Sequence, residues 1–99
     1  MDHREILEIV TKAMSKGETV EIYYPATENS PEGWREIEPY GFFIGTETFS
    51  DRIDPERESI EPGHILNART VGFGDAKTHS FIVGKIRKVR PTGRKAMTK

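Results

Sequence analysis

The apolar pattern of this chain changes period once, at Gly17, and does not change back. Before it, Ile6, Ile9, Val10, Ala13 and Met14 recur at three- and four-residue spacing, which gathers them on one stripe of a helix of about four turns. Asp2 and Glu5 stand three apart as in a capping box. Lys12 and Lys16 near the far end complement the helix dipole, and Gly17 supplies the stop. After Gly17 the apolar residues alternate, or run in short β-branched and aromatic stretches broken by glycine and proline. That is the period and punctuation of strands.

The extended runs can be placed one by one. Glu18 to Tyr24 alternates Val20, Ile22 and Tyr24 with Glu21 and Tyr23, and Pro25 ends it. Residues 26–33 are turn chemistry. A long second run, Trp34 to Ile44, contains Pro39, which cannot donate to a sheet ladder, so the run must bend, bulge or lie at an edge there. Residues 46–62 hold six acids, two arginines and two prolines, and read as a surface loop with a helical turn near 54–59, pinned back by Phe49, Ile53 and Ile60. Strands follow at 63–71 and 78–83, with Gly74-Asp75 as hairpin centre. Gly84 marks a bulge or close approach. Ile86 and Val89 belong to a short last strand, and Pro91 and Gly93 release the tail.

One helix followed by about five strands with short connections predicts a mainly β domain. Its natural form is a small SH3-like or Sm-like antiparallel β-barrel with the helix over one end, because closure removes exposed edges. The expected division is a barrel over 1–91, with the 46–62 loop as an insertion, and a basic flexible tail over 92–99. A chain of 99 residues has room for one domain. It has no cysteine, which removes disulfides and thiolate metal sites and fits a reducing cytosol. No apolar run approaches the ~18 residues of a membrane span, and the N-terminus lacks the layout of a secretory signal. The expectation is a cytoplasmic protein with no membrane partner.

Charge is unevenly spread. Seven of the fifteen Lys/Arg fall within residues 85–99, which contain no acid, leaving eight against sixteen acids upstream. Such an end is either a solvated terminus or a phosphate-contacting arm.

The run Arg35-Glu36-Ile37-Glu38-Pro39-Tyr40-Gly41-Phe42 resembles the Pro-Tyr-Gly strand of WYL domains. Thr19 to Tyr24 is similar to the strand that precedes it in that family, and Ser80 to Val89 to the strand that closes the domain. The resemblance covers about residues 3–90. It departs at the triplet that names the family, which falls at His64-Ile65-Leu66, with only Leu66 in agreement. Ile65 stands where the family's tyrosine helps line a ligand site. His79 and Lys85 fall near positions where the family often carries arginine. The resemblance implies a sensing or regulatory module that binds an effector or nucleic acid; separately, no catalytic role and no cofactor are expected.

The residues themselves point the same way. Basic and aromatic groups together make a stacking platform for a base or a planar ligand. The expected site is a concave face built from Tyr23, Arg35, Tyr40, Arg69, His79 and Lys85. Its ligand would be a single-stranded nucleic acid or a nucleotide-like molecule. The competing expectation is a protein-interaction adaptor of SH3-like type, with the acidic loop docking a basic partner. Catalysis finds little support. His79 and Ser80 are neighbours on a strand and face opposite ways, and Glu36 and Glu38 read as a solvated face. His64 and His79, on consecutive strands, have no diagnostic ligand spacing, so neither a metal nor a catalytic residue is expected.

Overall fold

A computed structural model describes residues 1–28, 30–44, 51–71 and 78–96. The expected hairpin centre Gly74-Asp75, together with Phe49, Phe73 and the last three residues of the tail, lies outside them. The elements are helix α1 (His3–Lys16), strands β1 (Glu18–Tyr24), β2 (Gly33–Ile44), β3 (Asp51–Ile53), β4 (Ile65–Thr70) and β5 (Thr78–Ile82), a 3-10 turn (Val83–Lys85), and β6 (Lys88–Lys95). The domain is mainly β with one N-terminal helix.

Helix α1 forms where the periodicity places it. The Asp2 carboxylate accepts the Glu5 N–H at 2.9 Å, satisfying one of the orphan donors of the first turn. Gly17 closes the other end in the left-handed region, at φ 67°, and its N–H turns back to the Ala13 and Met14 carbonyls. Ile6, Val10 and Ala13 are buried. They join a core with Val20 and Ile22 of β1, Ile37 and Phe42 of β2, Leu66 and Ala68 of β4, Phe81 of β5 and Val89 of β6.

All strand pairs are antiparallel, in the order β5-β4-β2-β1-β6, with β3 also on β2. Phe42 and Phe43 pair with β4 on one side and β3 on the other, so β3 continues the edge along which β1 runs. β2 is therefore the central strand, and its bulge controls the curvature. Pro39 pairs with Ala68, and the next pair is Gly41 with Asn67, leaving Tyr40 as the extra residue. A bulge there tolerates the missing proline N–H and increases local twist. It also shifts the inward side chains by one, from Ile37 before it to Phe42 after it.

Three expectations need correction. Among the described residues the strands number six, because the 46–62 loop contains β3, held by Ile53 (2 % exposed) and anchored again by Ile60 (6 %). The sheet curls, but β5 and β6 are not paired with each other among the described residues, so no hydrogen-bonded cylinder closes there. The tail does not begin at 92. β6 runs on to Lys95, with Pro91 opposite Val20 and Lys95 opposite Glu18. Gly93 at φ 74° absorbs the surplus residues of β6 in a bulge that only glycine adopts freely. Gly84 is the expected close approach: a Cβ there would lie 2.8 Å from Pro62 Cβ and 2.9 Å from its carbonyl oxygen.

Candidate functional site

At one end of the curled sheet, the β1–β2 connection and β5 face each other across a recess of about 810 Å³. The residues that give it chemical character are Tyr24, Arg35, His79 and Phe81, and Ser30, Pro31, Glu32 and Glu36 also line it. Register explains why these side chains meet. Arg35 pairs with Ile22, and directly opposed residues share a face of the sheet, so Arg35 projects inward although it is charged. It lies at the end of the core, where the strand leaves the apolar interior. His79 pairs with Ala68 and Phe81 with Leu66, which turns both inward from β5.

The geometry is well defined. Tyr24 and Phe81 meet edge to face, with ring centroids 5.0 Å apart at 78°, a favoured aromatic arrangement. His79 stacks obliquely on Phe81 at 6.3 Å. The Arg35 guanidinium lies 5.3 Å from the Tyr24 ring centroid, within cation–π range. Its Nη2 donates to the carbonyls of Pro25 (3.3 Å) and Pro31 (3.1 Å). Those two carbonyls fix the plane of the guanidinium. The N–H groups of Nε and Nη1 have no acceptor among the described residues, and an anion could take them in a fork. The Tyr24 hydroxyl accepts the Ile82 N–H at 2.9 Å, bridging β1 and β5 across the seam that the ladder leaves open.

Of the six expected site residues, the recess unites Arg35 and His79. Tyr23 is on the other face of β1, where its hydroxyl donates to Glu32 at 3.1 Å. That carboxylate raises the Tyr23 pKa above its ordinary value, chiefly through the hydrogen bond. Tyr40 is the bulge residue, its carbonyl accepting from Arg52 at 2.6 Å. Arg69 is exposed and paired with Glu38 in register on the outer face. Lys85 is exposed on the 3-10 turn. Like Phe81, Tyr24 lines the recess and stands outside the six. Its signal is parity with Val20 and Ile22.

The outer face carries its own basic and aromatic groups, and of these Trp34, Tyr23 and three arginines are engaged. Trp34 meets the edge of Tyr23 at 5.5 Å, and Arg90 lies 3.9 Å over its ring. Arg90 also pairs with Glu21 at 3.0 Å, Arg94 with Glu36 at 2.7 Å and Arg87 with Glu32 at 3.8 Å. Three arginines of the basic C-terminal segment are thus set against acids of β1, of β2 and of the turn between them. The Glu36 carboxyl is held below its ordinary pKa, first by the hydrogen bond from Arg94 and then by that from Thr19, against the opposing effect of burial.

Other candidate chemistry separates in space. The Val83 N–H donates to the His64 carbonyl at 2.9 Å, while His79 pairs with Ala68, so the two histidines sit at opposite ends of the β4–β5 ladder. His64 Nδ1 accepts the Glu61 N–H at 2.9 Å. Ser80 Oγ donates to Asn67 Oδ1 at 2.7 Å on the outer face, away from His79. Among the described residues no three His, Asp or Glu side chains come together as a metal site, and no helix is long and apolar enough to cross a membrane. A second recess, about 760 Å³, lies between α1 and residues 55–61, with Leu7 and Ile60 in it and Glu8, Glu56, Glu58 and Glu61 along it.

Comparison with family models, with curated proteins and with solved structures returns no match for this chain.

Proposed function

We propose that this chain is a non-catalytic regulatory binding module resembling a WYL domain, and that its ligand enters the recess between the β1–β2 connection and β5. One observation carries the reading: a guanidinium with donors unused among the described residues stands beside an aromatic floor at an open mouth. A nucleotide-like molecule, or the end of a single strand, supplies what that arrangement takes. Its phosphate meets Arg35 and its ring lies on the aromatic residues, with His79 as a further contact. A cytoplasmic setting belongs to the same proposal and agrees with the cysteine-free composition.

Titration calorimetry with adenosine monophosphate and with a short single-stranded RNA tests it. Arg35→Ala is expected to weaken binding about tenfold or more, the worth of a hydrogen bond to a charged group. Arg69→Ala, on the opposite face, should leave it unchanged. No heat at millimolar ligand, or equal loss in both variants, would overturn the reading. A second reading, a protein-interaction adaptor, is favoured by the bare edge of β5 beside the same recess.

A further inference from the structure

β5 ends the sheet on one side, and its backbone groups alternate between β4 and the open edge. The Val83 N–H points to β4, onto the His64 carbonyl. The Ile82 N–H points away, onto the Tyr24 hydroxyl. By the period of two in an antiparallel ladder, the N–H and C=O groups of Ser80 and Thr78 also point away from β4. They have no partner among the described residues.

The two ends of the sheet treat this hazard differently. β6 carries Pro91, a left-handed Gly93, and Lys88, Arg90, Arg94 and Lys95, the devices that keep an edge from pairing. β5 carries no proline, no glycine and no acid, lysine or arginine, and its Thr78, His79 and Ser80 are exposed. An edge strand without such guards is suited to strand addition.

We propose that the β5 edge takes up the C-terminal end of an extended partner peptide, with its terminal carboxylate on Arg35. The proposal rests on the interaction-module reading and names the partner's chemistry. The Tyr24 hydroxyl already holds the ladder position at Ile82, so an added strand that pairs with Thr78 and Ser80 stops there. The Arg35 guanidinium lies over the ring of that same tyrosine. An amino terminus at this point would set an ammonium against Arg35. A carboxy terminus meets the donors of Nε and Nη1, since Nη2 is held by Pro25 and Pro31. The recess that Arg35 lines also holds His79, Ser80 and Phe81, so the carboxylate end of the peptide lies against this stretch of β5. Its side chains on the inner face rest on His79 and Phe81.

The test pans a library of random short peptides with free C-termini on the full chain, and follows the enriched peptides by amide chemical shifts. Expected are shifts centred on Thr78 and Ser80, about tenfold or greater loss on amidating the peptide C-terminus, and a similar loss in Arg35→Ala. N-methylation of the peptide amide that bonds the Ser80 carbonyl should abolish binding, a control that leaves the protein untouched. Amidated peptides that bind equally, or no peptide enriched over Arg35→Ala, would overturn the assignment. Peptides bound beside α1 would keep the interaction-module reading and remove this site. Adenosine monophosphate bound at Arg35 with no peptide enriched would remove it in favour of the nucleotide reading.

Discussion

Thr19 is 2 % exposed, and its hydroxyl is satisfied entirely from within the protein. It donates to Glu36 at 2.7 Å and lies 2.6 Å from the Thr92 hydroxyl, which in turn donates to the Thr19 carbonyl at 3.0 Å. Arg94 completes the cluster from two nitrogens, at 2.7 and 3.3 Å from the two Glu36 oxygens. Because Glu36 binds its proton less readily in the folded chain than in the unfolded one, its contribution is fully present above the ordinary carboxylate range. It is lost as the pH falls through the lowered folded value. Glu36→Gln is therefore expected to cost about 1 kcal/mol at neutral pH, discounted for the exposed arginine. The gap to the unchanged protein should close as urea unfolding is repeated toward pH 3, and a constant gap would refute the linkage. At this scale the sequence was readable for parity but not for pairing. Alternation alone puts Tyr24 with Val20 and Ile22 and turns Tyr23 outward. Nothing local says that Arg35 stands opposite Ile22 and so faces inward, away from Tyr23.

Elements were legible where one residue's chemistry sets their limits. Asp2 and Gly17 bound α1 as their capping geometries require, and Pro39 announces the bulge in β2. β3 and the full length of β6 were not legible. β3 is three residues long with one buried side chain, too short for a period to show. β6 has Val89 as its single buried residue, and its arginines make sense only once Glu21 and Glu36 lie across from them. The seam between β5 and β1 is likewise invisible in sequence, and it makes two predictions. Tyr24→Phe keeps the ring but leaves the Ile82 N–H without its acceptor. Amide exchange at Ile82 should quicken about tenfold, with stability lowered by about 1–2 kcal/mol; unchanged exchange would show that the hydroxyl does not hold the seam. Gly84→Ala drives a methyl group into Pro62 backbone and ring, and should cost about 1–3 kcal/mol by thermal unfolding.

Over the whole molecule, composition and charge mislead unless the fold is known. Read along the chain, residues 85–99 look like an arm for a polyanion. Folded, Arg87, Arg90 and Arg94 are set against Glu32, Glu21 and Glu36, and Lys95 donates to the Lys16 carbonyl at the end of α1 at 2.7 Å. Those three arginines are therefore already set against acids, while Lys85, Lys88 and Lys95 are exposed with no acid partner among the described residues. In the recess, which Glu32 and Glu36 also line, Arg35 meets two carbonyls and an aromatic ring and pairs with no acid among the described residues. If single-stranded nucleic acid binds, it should do so through about one phosphate at Arg35. The logarithm of the affinity should then fall against the logarithm of salt concentration with a slope of about −0.7 to −1.5, the release expected for one or two contacts on a single strand. Fluorescence anisotropy of a labelled oligonucleotide across a salt series measures that slope directly. A slope of about −4 or steeper would mean that the strand displaces the glutamates and takes the arginines of β6. The outer face, not the recess, would then be the binding surface.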